Sequence, residues 1–430
     1  MIERIVKLAL SLGADEAEVF HSLSSGYSFS SVGRRIHSRE FEAEEGWAVR
    51  VIKNGRLGFA FFGRTKEAQK AVRRALALAK FCEQAEYSFP CSGRMARAPC
   101  FDKRIAEMQE KEGVEMLQAA LDAMQESGAV PTECALEYGG STEEICNSNG
   151  VVASERRTSL ACFLACSYDG KSGSASAGSA LLDFDVGEVA RKAAEHARAR
   201  RRARRIKRGV RAAVLDAVSL HPFIGMLVPS LNGDRVRRGV SVLAGKLGEQ
   251  IAHEGLTVWD DPLAHGIEAR SFDGEGMPSR KKGLIRDGVL ASFLFDIKSA
   301  CLARKKGISA DAGNCTRAGY AAVPGIGASN LVIEGGGERD VIDGVDDGIY
   351  VVSIIGEHTA NRLTGDYSVS VDLGFAIKDG ELAGPVSEGT MAGNIFEMLR
   401  NVTAIERKRE RHFGLTAPRM AFGGVSFGGK

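Results

Sequence analysis

With 430 residues, 44% of them hydrophobic and 26% charged, the chain has an ordinary globular composition and length for about two to three domains with substantial cores. A formal net charge of +2 excludes a globally basic nucleic-acid binder and an acidic disordered chain alike. The absence of any apolar run of roughly 18 residues excludes an ordinary spanning helix, and the charges within Met1-Ile2-Glu3-Arg4-Ile5-Val6-Lys7 do not read as a signal peptide. Nine scattered cysteines, an odd number, read as reduced structural thiols, so the expected compartment is the cytoplasm.

Residues 2–12 spell a short amphipathic helix ended by Gly13. Strand-like stretches follow around 18–31 and 47–52. Asn54-Gly55, between Trp47-Ala48-Val49-Arg50-Val51-Ile52 and Leu57-Gly58-Phe59-Ala60-Phe61, is a strong hairpin signal, because Asn-Gly tolerates the positive φ of a tight primed turn. Thr65 is placed to cap a helix carrying Ala68, Val72, Ala75, Leu76 and Ala79 at a 3.6 period. Residues 91–104 form a Gly-, Pro- and Arg-containing linker, and a second helix carries Ile105, Met108, Met116, Leu117, Ala120, Leu121 and Met124. Strands are expected near 133–138, 143–146 and 153–168, with a turn at Asn147-Ser148-Asn149-Gly150. A Gly/Ser/Ala stretch at 172–179 then precedes a helix over about 186–205. Helix-then-hairpin thus occurs twice, as a loose similarity.

The second half is richer in Gly and short strands, expected at 212–215, 256–259, 283–296, 330–334, 348–355 and 369–381, with helices at 222–231, 234–245 and 391–404. Strands in runs with segregated helices predict an α+β fold rather than a doubly wound sheet. The expected division is an amino-terminal helix/hairpin domain over 1–208, with a sub-boundary near 91–104, and a mixed β-rich domain over 209–430.

Nine Lys/Arg fall within the fourteen residues 198–211. They read as the cationic end of a helix running into a solvated linker; without aromatic interleaving or a nucleic-acid fold signature, phosphate contact is the weaker alternative. Cys162 and Cys166 lie on one strand, roughly 13 Å apart, too far for a shared metal or a disulfide. Gly335-Gly336-Gly337 lacks the Lys-Ser/Thr of a phosphate loop. His358, after Gly356-Glu357, reads as a hydrogen-bonded loop histidine. No pair among His21, His37, His196, His221, His253, His265, His358 and His412 has the close spacing of a helical ligand pair, and His253-Glu254 is followed by Thr257 and Val258 where a zincin needs histidine. Asn361, Thr364, Asp366 and Tyr367 stand out in Asn361-Arg362-Leu363-Thr364-Gly365-Asp366-Tyr367-Ser368, whose Asn, Asp and Gly suit a turn locking two strands.

That stretch follows Phe272-Asp273-Gly274-Glu275-Gly276-Met277-Pro278, Gly313-Asn314-Cys315-Thr316-Arg317, Pro324 and Ser329-Asn330-Leu331, and precedes Lys378-Asp379-Gly380-Glu381 and Gly384-Pro385-Val386. This order resembles the carboxy-terminal domain of the TldD/PmbA family, whose active complexes are cytoplasmic zinc-dependent peptidases. The Asn-x-x-Thr-Gly-Asp-Tyr-Ser form, with the later Asn394 to Leu399 segment, is similar to the PmbA (TldE) branch. The TldD branch carries His-Glu-x-x-x-His on a helix, two imidazoles and a carboxylate for water activation. Anchored on Leu231 to Gly239, the similar segment here has Ile224, Gly225 and Pro229 in those places, and none can hold zinc or act as a base.

The resemblance therefore implies a two-domain α+β protein with no catalytic or metal-ligating residue of its own. It implies a non-catalytic subunit of a heterodimer with a TldD-type, zinc-bearing partner, acting on unfolded or small peptides; whether the isolated chain forms a homodimer is left open by the sequence. Asn361, Thr364, Asp366 and Tyr367 would then form a loop near the substrate cavity, facing substrate or partner. Two alternatives stand beside this reading: a regulatory binding protein acting on DNA gyrase, and a stand-alone hydrolase without zinc.

Overall fold

The computed structural model describes residues 1–429. The first part is built from α1 (Ile2–Ser11), β1 (Glu16–Val32), β2 (Arg35–Lys53), β3 (Arg56–Phe62), α2 (Ala68–Ala79), α3 (Lys103–Ala106), α4 (Glu110–Glu126), β4 (Val130–Asn147), β5 (Val152–Tyr168), β6 (Lys171–Ser179) and α5 (Val186–Arg202). Its antiparallel sheet has the order β3-β2-β1-β4-β5-β6. The loose helix–hairpin similarity is thus a helix, three-strand meander and helix present twice, the halves joined where β1 pairs with β4 from Glu18↔Asn147 to Val32↔Glu133.

Two expected strands, 133–138 and 143–146, are one. Gly139-Gly140 reads as a break, yet at Gly139 the backbones of β1 and β4 come so close that a Cβ would lie 2.4 Å from the Ser25 carbonyl oxygen. Strand β2 begins well before the expected residue 47, because its first part is exposed on both faces and so carries no apolar alternation. Thr65 opens a 3-10 turn rather than capping α2, which starts at Ala68 without a side-chain cap. The Gly/Ser/Ala stretch is strand β6. Its small residues let α5 lie against it, and a Cβ on Gly173 would meet the Ala197 nitrogen at 2.2 Å. Leu117, Leu121 and Met124 of α4 and Ala190, Ala193 and Ala197 of α5 bury one face with Leu136, Leu160, Cys162, Leu164 and Cys166. Helices α1 and α2 cover Val19, Trp47, Val49 and Val51.

The second part comprises β7 (Arg204–Arg205), β8 (Gly209–Leu215), α6 (Ala217–Leu227), α7 (Gly233–Arg237), β9 (Val258–Asp260), β10 (Lys282–Arg286), β11 (Val289–Leu290), α8 (Ile297–Lys305), β12 (Cys315–Thr316), β13 (Gly325–Ile326), β14 (Leu331–Ile333), β15 (Asp347–Ile355), β16 (Asp366–Lys378), β17 (Glu381–Ser387), β18 (Gly389–Asn394), α9 (Ile395–Arg400), β19 (Val402–His412) and β20 (Leu415–Gly428). Ten strands follow the order β11-β10-β9-β14-β20-β8-β15-β16-β17-β7; β18 joins β16 to β20, β19 pairs with β20, and β12-β13 form a separate pair. The mixed α+β expectation holds, with a β-rich carboxy-terminal region.

The expected helix 391–404 is wrong at both ends. Met391 pairs with Val369 in a strand, Asn394 caps the short α9 by accepting from the Phe396 nitrogen at 2.9 Å, and Val402 opens β19. Helix α7 stops at Arg237, well short of 245, and the next residues turn through Gly239 at φ +75°. Part of the basic run is tied down. Arg200 meets Asp372 at 3.1 Å, Arg201 meets Asp169 at 3.3 Å, Arg205 meets Glu388 at 2.9 Å, and Arg198 donates to the Ser127 carbonyl. Among the described residues no helix is long and apolar enough to cross a membrane.

Candidate functional site

Helix α6 follows directly from β8 and is started by Asp216, whose Oδ1 accepts from the Val218 and Ser219 nitrogens at 3.0 and 2.9 Å; Tyr350 donates to its Oδ2 at 2.7 Å. Phe223, Ile224, Met226 and Leu227 pass into the core, Gly225 faces outward with open space where a Cβ would stand, and Pro229 follows in a 3-10 turn. This helix is where the resemblance places a metal-binding motif. An aliphatic side chain, a glycine and a proline offer no donor, so the residues present do not fit zinc. His221, one turn earlier, lies edge-on to His412 with ring centroids 5.5 Å apart. Burial lowers both imidazoles, His412 to about 4, so both are neutral at pH 7. Among the described residues no three His, Cys, Asp or Glu are grouped so as to hold a metal ion.

The conspicuous loop meets α6 through one aromatic contact. Tyr367 is 5% exposed, and its ring stands edge-on to Phe223 at 4.8 Å while its hydroxyl reaches the Met398 sulfur at 3.5 Å. Asn361, Thr364 and Asp366 lie on the exposed side. Asn361 Oδ1 accepts from the nitrogens of Leu363 and Thr364, and the Gly365 nitrogen closes the turn on the Asn361 carbonyl at 2.8 Å. Asp366 receives the Thr364 hydroxyl at 2.6 Å and the Asn394 amide at 2.8 Å, and these two donors hold its carboxyl below the usual range. Gly365 is obligatory: its φ is +84°, and a Cβ would lie 2.7 Å from Ile395. The structure thus brings three of the four singled-out residues together as a rigid polar surface and uses the fourth as its anchor. Exposed Ile355 and Leu363 flank that surface.

The other family-like segments converge elsewhere, at the junction of the two parts. Asp273 accepts from the nitrogens of Glu275, Met277 and Cys315 at 2.9, 2.9 and 3.0 Å, which fastens Gly274-Glu275-Gly276 to Cys315-Thr316-Arg317. Arg50 of β2 makes two bonds to Glu18 of β1, at 2.8 and 2.7 Å, and one to Glu275 at 2.9 Å. Arg317 adds a bond to Glu18 at 2.6 Å, and Glu275 also accepts from the Ile297 nitrogen at 2.9 Å. Two carboxylates, Glu18 and Glu275, pair with two guanidiniums, Arg50 and Arg317, and all four side chains are at most 4% exposed. Burial first, then the neighbouring Asp273 and Asp296 charges, pushes Glu275 up to about 7 against the pull of Arg50. Asp260 plays a similar structural part, receiving Asn314 and both the nitrogen and hydroxyl of Ser329. Sequence reading passed over Glu18 and Arg50. The available signal was a charge in an otherwise apolar buried strand: Arg50 between Val49 and Val51, Glu18 between Ala17 and Val19.

This architecture is found in solved proteins. A Thermotoga maritima protein described as a candidate modulator of a DNA gyrase superposes with a TM-score of 0.90 at 22% identity, covering 99% of this chain and 98% of that one. TldE from Thermococcus kodakarensis superposes with a TM-score of 0.88 at 23% identity, covering 99% of each chain. The fold is therefore that of the TldD/TldE-type proteins. The PmbA/TldA metallopeptidase C-terminal domain matches residues 209–429, the central domain of that family 103–201, and its domain 1 residues 17–79. The chain belongs to the PmbA/TldD metallopeptidase family. An uncharacterised protein of Methanocaldococcus jannaschii is 29% identical over 427 residues, covering 98% of this chain and 99% of the relative.

Proposed function

We propose that this chain is a TldE-like, non-catalytic subunit of a heterodimeric, TldD-type zinc metallopeptidase that acts in the cytoplasm on unfolded or small peptides. The observation that carries the reading is the composition of α6: Ile224, Gly225 and Pro229 stand where water activation would need two imidazoles and a carboxylate. A chain that keeps the family's framework without those donors is suited to close a shared cavity and orient a peptide, while the partner supplies the metal. The loop of Asn361, Thr364 and Asp366, anchored by Tyr367 on α6, is its partner- or substrate-facing surface. The division at residues 208 and 209 belongs to the same reading, supported by the change of sheet between Ser179 and Arg204.

The test is reconstitution. The purified chain should carry no stoichiometric zinc by elemental analysis and show no peptidase activity. Adding a TldD-type partner should give chelator-sensitive cleavage, and Asp366→Ala should weaken the mixed complex without altering the partner's zinc. Cleavage by the isolated chain that survives chelation and repurification would refute the proposal. The ion pairs along residues 198–211 leave less of that run available for phosphate contact, which disfavours the DNA-binding alternative.

A further inference from the structure

A cleft of about 480 Å³ opens at the junction of the two parts, remote in sequence from the Asn361 loop. Its walls come from β2 and β3 on one side and from α7, the start of α8 and β13 on the other. Two charged side chains at least nine-tenths buried, Arg50 at 4% exposure and Glu275 at 1%, form part of its lining, but their charges are consumed by the network that joins the two parts. Of the other cations, Arg238 is held by Asp234 at 2.6 Å and Lys298 faces Glu83 at 3.7 Å. Arg235 differs: among the described residues its guanidinium has no hydrogen-bond or ion-pair partner, although it borders the cleft.

The remaining wall is apolar. Leu57 and Phe59 are half-buried, and Val240 and Val323 are 58% and 67% exposed, so the cleft that Arg235 borders also presents hydrocarbon to water. Asp234, Glu275 and Asp296 also line the space, so a polyanion such as a nucleotide would meet three carboxylates. A ligand with one negative charge is balanced by the one unpaired guanidinium, and its apolar body brings no further charge toward those carboxylates.

We propose that this cleft is a binding site for an apolar molecule bearing a single carboxylate, its carboxylate on Arg235 and its apolar body against Leu57, Phe59, Val240 and Val323. Two sources share that chemistry, the free carboxy terminus of an apolar peptide and a fatty acid. Gly325 and Ile326 belong to a two-stranded sheet in which β13 has β12 as its one partner, so an extended peptide would also find backbone groups to pair with.

Calorimetric titration of the full chain with N-acetyl-Phe-Leu as free acid, the same dipeptide as amide, and octanoate tests this directly. The free acid or octanoate should bind saturably, and the amide about tenfold or more weaker than the acid, the effect of losing one charge-assisted pair. Arg235→Gln should weaken acid binding to the same degree, and Val323→Ser should weaken it several-fold; both positions are exposed, so the fold is kept. Binding of the dipeptide acid alone assigns a peptide terminus, and binding of octanoate alone assigns a fatty acid. The proposal is overturned if neither acid binds, if the dipeptide acid binds and its amide binds equally well, or if Arg235→Gln leaves the affinity for the acid that binds unchanged.

Discussion

Replacing Arg50 by Met removes three charge-assisted bonds from a nearly fully buried site. Glu18, 1% exposed, would retain Arg317 at 2.6 Å, whereas Glu275 would keep only the Ile297 nitrogen at 2.9 Å. Breaking a buried pair by deleting one partner costs about 3–5 kcal/mol, most of it the burden of the charge left behind. The burden depends on pH. Because the folded-state pKa of Glu275 lies above the unfolded value, its contribution favours the folded state fully below the unfolded pKa near 4.5 and is lost as pH rises through about 7. Without Arg50 that carboxyl rises further, so the cost of the substitution is largest at pH 8 and shrinks at pH 6. Urea unfolding followed by fluorescence is informative because the chain has only two tryptophans, Trp47 in the first sheet and Trp259 in the second. The double variant Arg50→Met, Glu275→Gln should recover much of the loss, since Glu18 keeps Arg317 and no carboxylate is left uncompensated. A cost below about 1 kcal/mol at pH 8, or an equal cost at pH 6 and pH 8, would refute this account of the junction.

Gly365→Ala should lower stability by about 1–2 kcal/mol through its left-handed backbone alone, with further loss from the Ile395 contact, read as a shift in the urea midpoint. Changing Arg201, Arg202, Arg204 and Arg205 together to Gln should cost only tenths of a kcal/mol per exposed pair and leave any peptidase activity of a reconstituted complex nearly intact. Loss of that activity with an unchanged unfolding curve would make the run a docking surface.

What could be read from the chain followed the places where one face is buried. The Asn54-Gly55 hairpin, α1, α4 and the β15-β16 pair alternate or repeat because a core enforces it. Strand β2 before Trp47, with Arg39, Glu40, Glu42 and Glu44, and β19 with Arg407, Lys408 and Arg409, carry charges at exposed positions with no apolar alternation, and periodicity is blind to them. The loop of Asn361 to Asp366 was legible as a turn because its residue types make their bonds locally. The anchoring of that loop through Tyr367 and Phe223 was not, since it joins residues far apart in sequence by packing. The same holds for Glu18, Arg50, Glu275 and Arg317, each an ordinary charge until the fold brings them together.

The seam between β1 and β4 also sets a timetable for synthesis. Strand β2 follows β1 at once, but the other side of β1 waits until residue 147 has been made, about ten seconds at typical elongation rates. For that interval the nascent chain presents an unsatisfied ribbon edge, the kind of surface on which neighbouring chains stick. The ribbon's middle, Ser22-Leu23-Ser24-Ser25-Gly26-Tyr27-Ser28, is poor in the hydrophobic, β-prone residues that drive such sticking. The serines and glycine that weaken β1 as a strand make it a safe edge to leave waiting on the ribosome.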